Sequence, residues 1–234
     1  MVNRSAARLP LVLSLAPRGN PGWEVRRMKR STCVAMGLLF AVMLGARAAG
    51  TAGEEKKHWK PLMDGKTLAG WHPVGHGKWT VEDGAFVGRA NNEKLYGLLF
   101  SDQTFQDFTV RFKFKFISGD SGFYIRTILK EPDEAHNLQV QVGAPGSGLG
   151  RIYESYGRGW LAQPDPEAEK KVYKPNDWNE MEISAHGGHI VVKVNGQTTC
   201  ELKDYKGRTV GHFALQMHSG TVNEVMFKDI EIAE

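Results

Sequence analysis

His218 carries an imidazole, the side-chain type best suited to proton transfer near neutral pH. It follows a segment in which Leu215 and Met217 interleave with Gln216. Two other segments carry complementary chemistry at the same spacing. Tyr124 and Arg126 alternate with Phe123 and Ile125, and Gln139 and Gln141 alternate with Leu138, Val140 and Val142. A fourth, FTVRFKFKF at 108–116, sets Arg111 and Lys113 between apolar residues. A base, two or three cations, amides and a phenol are the groups that abstract a proton, hold an oxyanion and bind hydroxyls. Plainer readings stand beside these: a strand-end histidine held by a local hydrogen bond, an arginine paired across strands, solvated edge charges at Arg111 and Lys113, a ladder of glutamines, and packing roles for Tyr124, Tyr153 and Trp160.

What must position these residues is a set of strands. Strict alternation of apolar and polar side chains predicts antiparallel strands with one face buried. If the four segments share a sheet, their outward residues merge into one polar surface suited to a sugar or another polyhydroxy ligand. Strands are predicted at 108–116, 122–127, 137–142, 181–185, 211–218 and 222–232. Hairpins are predicted where Asp83-Gly84 divides 79–87 and where Asn195-Gly196 divides 191–201. Many short strands joined by turns indicate an all-β sandwich or barrel. The one helix-like stretch is 166–172, inside a Gly- and Pro-rich segment, 143–174, that reads as a long loop over the sheet.

Other chemistries have no signature. The eight histidines are scattered, no H-E-x-x-H occurs, the glycines at 143, 146, 148 and 150 do not open a helix, and G-x-S-x-G is missing. No metal ligands and no cofactor are therefore assigned, although a divalent cation is compatible with a fold of this kind.

The N-terminal 48 residues read separately. Arg26, Arg27, Lys29 and Arg30 precede an apolar run from Cys33 to Leu44, and Ala46-Arg47-Ala48 closes it, the pattern of a secretory signal too short to span a bilayer. Met28 is a natural start for it, with 1–27 then expected to be an over-extended beginning. Residues 49–57 form a polar lead-in and 58–234 a single domain, with the mature N-terminus expected between Ala48 and Gly53. The location expected is secreted or periplasmic, with no membrane attachment after cleavage.

The whole chain has 30 Lys and Arg against 26 Asp and Glu. The first 48 residues hold eight of the bases and one acid, leaving 22 against 25, so the basic balance belongs to the signal and a nucleic-acid partner is not supported. Cys33 leaves with the signal, and Cys200 remains without an intramolecular partner. Nothing in the sequence indicates an oligomeric state.

Eight segments in order resemble the 3-keto-disaccharide hydrolase family, also described as 3-keto-glucoside 1,2-lyase and hydratase: LMDGKTLAGW at 62–71, WTVEDGAFVG at 79–88, FQDFTVRFKFKF at 105–116, DSGFYIR at 120–126, NLQVQV at 137–142, WNEMEI at 178–183, VNG at 194–196 and ALQMHSG at 214–220. The resemblance implies a concanavalin A-like jelly-roll sandwich whose concave sheet holds a 3-keto-disaccharide or other glycoside. It also implies chemistry in which a ketone at carbon 3 acidifies the proton on carbon 2, so that a base forms an enolate that expels the group on carbon 1. On that basis His218 is the expected base, with Arg126 and Lys113 against the enolate oxygen. Tyr124, Gln139, Gln141, Tyr153 and Gln216 are expected to bind the sugar. The chain departs from the family where Leu138-Gln139-Val140-Gln141 replaces Tyr-Glu-Val-Gln. An amide there cannot be a general base, which puts Glu154 forward as a substitute carboxylate and keeps open a non-catalytic carbohydrate-binding module.

Overall fold

A computed structural model describes residues 57–234, and the predicted signal segment lies outside them. In chain order the strands are β1 (Lys60–Pro61), β2 (Trp71–Gly75), β3 (Lys78–Glu82), β4 (Ala85–Asn91), β5 (Gly97–Phe105), β6 (Phe108–Ser118), β7 (Ser121–Lys130) and β8 (Glu134–Val142). There follow β9 (Ile152–Ser155), β10 (Gly159–Ala162), the helix α1 (Pro166–Val172), β11 (Asn179–His186), β12 (His189–Val194), β13 (Gln197–Leu202), β14 (Gly211–Met217) and β15 (Val222–Ala233).

They form two antiparallel sheets. The first runs β13-β12-β11-β6-β15-β4-β3, with β1 added beside β15; the second runs β10-β9-β8-β7-β14-β5-β2. The alternating apolar residues fill the space between them. Phe112 of β6 stacks on Phe123 of β7 at 4.4 Å, and Phe108 meets Phe213 of β14 edge-on at 4.8 Å, so aromatic rings join one sheet to the other. The fold is thus an all-β jelly-roll sandwich. The turns at Asp83-Gly84 and Asn195-Gly196 adopt the positive φ angles expected of tight hairpins. Asp165 caps α1, accepting from the Glu167 amide at 2.9 Å, and Pro166 opens it.

The stretch 143–174 is not a plain loop: besides α1 it contains the hairpin β9–β10, which extends the second sheet by two strands. A larger correction concerns β6. It pairs with β11 and β15 and so belongs to the first sheet, whereas β7, β8 and β14 build the second. Lys113 and Arg111 therefore face outward on the opposite side of the sandwich from the glutamines. Alternation fixes which residues of a strand share a face, but not which sheet the strand joins.

Candidate functional site

The outer face of the second sheet carries a ladder that the strand register defines. Trp160 pairs with Tyr153, Tyr153 with Gln139, Gln139 with Tyr124, and Tyr124 with Ala214. Directly paired residues point to the same face, so these side chains form a row across the strands. Gln141 and Gln216 lie beside it, each one pleat further along its own strand.

The amides hold one another. Gln139 Nε2 donates to Gln216 Oε1 at 3.0 Å and to Gln141 Oε1 at 3.4 Å, and Gln216 Nε2 donates to the Tyr124 hydroxyl at 2.9 Å. Gln141 Nε2 donates to Asp120 Oδ1. All three glutamines and Tyr124 are buried, and buried amides of this kind must be satisfied by partners. Gly122 makes the network possible: a Cβ at that position would sit 2.1 Å from Gln139 Nε2, so only a bare backbone lets the amide lie across β7. Burial pushes the Tyr124 hydroxyl above its usual range, which keeps it protonated.

His218, just past β14, joins the network through Asp120, whose carbonyl accepts from the His218 amide at 3.0 Å. Its Nδ1 lies 2.7 Å from the Ser219 carbonyl. A carbonyl only accepts, so Nδ1 carries the proton and Nε2 of the neutral ring keeps its lone pair. That nitrogen lies 3.4 Å from the Tyr96 hydroxyl, and the two rings meet edge-on at 4.9 Å. Tyr96 is half-buried, and burial raises its hydroxyl above the usual range. Asp133 Oδ2 accepts from the Tyr96 amide at 2.6 Å and fixes the start of β5. Tyr96 and Asp120 carry part of this arrangement but were not among the expected site residues. Tyr96 shares its face with Leu98 and Phe100, and because β5 is apolar on both faces its sequence shows no alternation to reveal it.

Three expected site residues lie elsewhere. Arg126 is fully buried, and its guanidinium donates to the carbonyls of Gln106 (2.9 Å), Gly187 (2.7 Å) and Ala185 (3.2 Å) and to Asp107 (3.0 Å). It sits in a bulge with φ of 50°, where β7 loses register with β8, and this breaks the alternation that would have turned the side chain outward beside Tyr124. Glu154 pairs with Leu138, a core residue, so it points to the other face from Tyr153. Hydrogen bonds from Arg158 hold its carboxyl down at about 2, and the Tyr205 hydroxyl donates to it as well. A carboxylate so stabilised is a poor base. Lys113 binds Asp229 at 2.9 Å, in a groove of about 650 Å³ on the first sheet, where Arg111 likewise binds Glu231. The cations Arg111 and Lys113 of that groove are thus already neutralised.

Among the described residues no group of three or more His, Cys, Asp or Glu is placed to hold a metal ion.

Residues 58–233 match the model of the 3-keto-alpha-glucoside-1,2-lyase-like domain. The chain belongs to that family. Solved structures share the fold of this lyase-like domain at low identity. A predicted glycosyl hydrolase from Parabacteroides distasonis aligns with a TM-score of 0.57 at 19% identity, over 75% of this chain and 93% of that one. The carbohydrate binding module CBM66 from Bacillus subtilis aligns with 0.52 at 16%, over 70% and 96%. A Bacillus subtilis protein with a galectin-like fold gives 0.54 at 16%, over 75% and 94%. No match was found among curated proteins.

Proposed function

We propose that this protein is exported and cleaves glycosides already oxidised at carbon 3, by elimination through a carbon 2 enolate followed by addition of water. The observation that carries this reading is His218, its tautomer set by the Ser219 carbonyl so that Nε2 keeps its lone pair, facing the hydroxyl of Tyr96, a phenol whose pKa burial raises. His218 removes the carbon 2 proton, and the electron pair moves toward the carbon 3 oxygen. As that pair returns to form the carbon 1–carbon 2 double bond, the bond from carbon 1 to the leaving oxygen breaks. Tyr96, whose hydroxyl lies 3.4 Å from His218 Nε2, is the acid in this reading and returns a proton to that oxygen. With Arg126 inside the core, the tyrosine hydroxyls take its place as donors for the enolate in this reading.

An ordinary glycosidase instead needs two carboxylates flanking the scissile bond. The nearby Asp120 and Asp133 are engaged by Gln141 and by the Tyr96 amide. The second reading, a sugar-binding module without catalysis, is favoured by one feature: Gln139, at the centre of the face, is a neutral amide held by two others.

The test is incubation of the purified protein with a 3-keto-disaccharide, followed by detection of an unsaturated sugar or a released monosaccharide. His218→Gln is expected to lower turnover about a hundredfold while leaving the fold intact. Turnover unchanged in that variant would remove His218 from the mechanism. Sugar binding without turnover in the wild type would favour the binding module.

A further inference from the structure

The ladder does not stop at the amides. Beyond Gln139 it continues through Tyr153, half-buried, to Trp160 at the sheet edge, which is 43% exposed. The two rings are 4.7 Å apart and tilted. The Arg151 guanidinium lies over the Trp160 ring with its carbon 4.4 Å from the ring centroid. Arg89, Arg111, Arg126 and Arg158 each bind a carboxylate. Arg151 has neither a carboxylate nor any side-chain hydrogen bond among the described residues, and its Nε is buried without a partner. A guanidinium normally uses its fork of donors on an acceptor. Here it is held in place by an aromatic ring and left with its donors uncommitted.

We propose that Tyr153, Trp160 and Arg151 form a second sugar subsite, which holds the half of the glycoside that leaves from carbon 1. The inference rests on the reading of the amide face as the place where the reacting sugar sits. Neighbouring strands lie about 4.8 Å apart, so the three steps from Tyr124 to Trp160 span roughly 14 Å, longer than a single pyranose ring. The apolar face of a second ring lies against Trp160 and Tyr153, and its hydroxyls accept from Arg151. The protein thereby selects disaccharides over glycosides with a small leaving group.

The experiment compares a 3-keto-disaccharide with the methyl 3-keto-glucoside in the wild type, Trp160→Ala, Trp160→Phe and Arg151→Met. For Trp160→Ala, the ratio of kcat/KM on the disaccharide to that on the methyl glycoside should fall about three- to tenfold, the scale of a lost aromatic contact. Trp160→Phe keeps a ring and should recover most of that ratio. Arg151→Met should lower it as well. An unchanged ratio in both Trp160→Ala and Arg151→Met, with the fold confirmed by circular dichroism, would overturn the subsite. Calorimetric titration of the unoxidised disaccharide and methyl glycoside gives a readout independent of turnover. If the wild type turns over neither keto sugar, a Trp160→Ala loss in binding confined to the disaccharide still supports the subsite while the proposed reaction falls. Equal binding losses for both sugars would remove it.

Discussion

Arg126 separates a structural from a catalytic role most sharply, because replacing it should damage stability rather than chemistry. Arg126→Met keeps the length of the side chain and removes the charge. It strips the donor from the carbonyls of Gln106, Ala185 and Gly187, which link the β5–β6 turn to the β11–β12 turn, and leaves Asp107, half exposed, to water. Each buried carbonyl left without a donor costs about 1–3 kcal/mol. Part of this is offset, because the guanidinium itself no longer has to be held out of water. The net loss expected is about 2–3 kcal/mol, since the Ala185 carbonyl alone among the three belongs to a buried residue and no buried charge is left behind. For a domain of this size that corresponds to a fall in Tm of roughly 4–12 °C. Urea unfolding and thermal melts measure it directly. Arg126→Lys should rescue little, since one ammonium cannot reach four acceptors spread around a fork. Turnover measured on the folded fraction at low temperature should stay within a few fold of wild type. A variant with wild-type stability and abolished turnover would refute the reasoning and return Arg126 to the reacting centre.

Glu154 gives a pH-dependent counterpart. Its folded-state carboxyl titrates near 2 against an ordinary value near 4.5, so its contribution to stability is complete above about 4.5 and is lost as pH falls toward 2. Glu154→Gln should therefore flatten the stability profile in that acid window, and urea midpoints between pH 2 and 6 would reveal a profile that fails to flatten. Gly122→Ala should cost stability, because a Cβ there would meet Cγ and Cδ as well as Nε2 of buried Gln139 and break its hydrogen bonds, and should lower sugar binding or turnover at least tenfold by displacing that amide; unaltered activity would mean that the amide's position is unimportant. Burial pushes the Cys200 thiol up to about 11. It should resist thiol reagents until the protein unfolds, and reductant should leave Tm unchanged, both readily followed by labelling and melting.

The sandwich was largely legible because most strands bury one face and leave the other wet. Where that condition failed, so did the reading. β5 buries Leu98 and Phe100 on one side and Leu99 on the other, and so has no period to detect. β2 contains Pro73, tolerated because it is an edge strand. The glutamine, Tyr124 and histidine cluster was readable from alternation within β7, β8 and β14, whereas Tyr153 was expected only from the resemblance, its strand β9 lying in a stretch read as a loop. Lys113 was misplaced because strand pairing is decided by contacts distant in sequence, and Arg126 because a left-handed residue inside a strand leaves no sequence mark. Glu154 is a different case. It follows Tyr153 directly on one strand, and adjacent strand residues point to opposite faces, so the two could not have served one site.

The hydrogen bonds between Asp120 and Tyr124 have a set polarity, with Gln139 donating both toward Gln141 and toward Gln216, and the carboxylate is the reason. An ionised carboxylate can only accept, so it fixes which end of Gln141 faces it, and that choice passes to Gln139 and then to Gln216. Glutamine amides are otherwise nearly symmetric and free to turn over. With its nitrogen committed on both sides, Gln139 shows a ligand its oxygen. The face thus asks for a hydroxyl opposite Gln139 and disfavours a carbonyl there, which restricts the ketone of an oxidised sugar to another part of the site. A single charge at the rim writes a polarity that is read four side chains away, and Asp120→Asn, able to donate as well as accept, would erase it without removing a single amide.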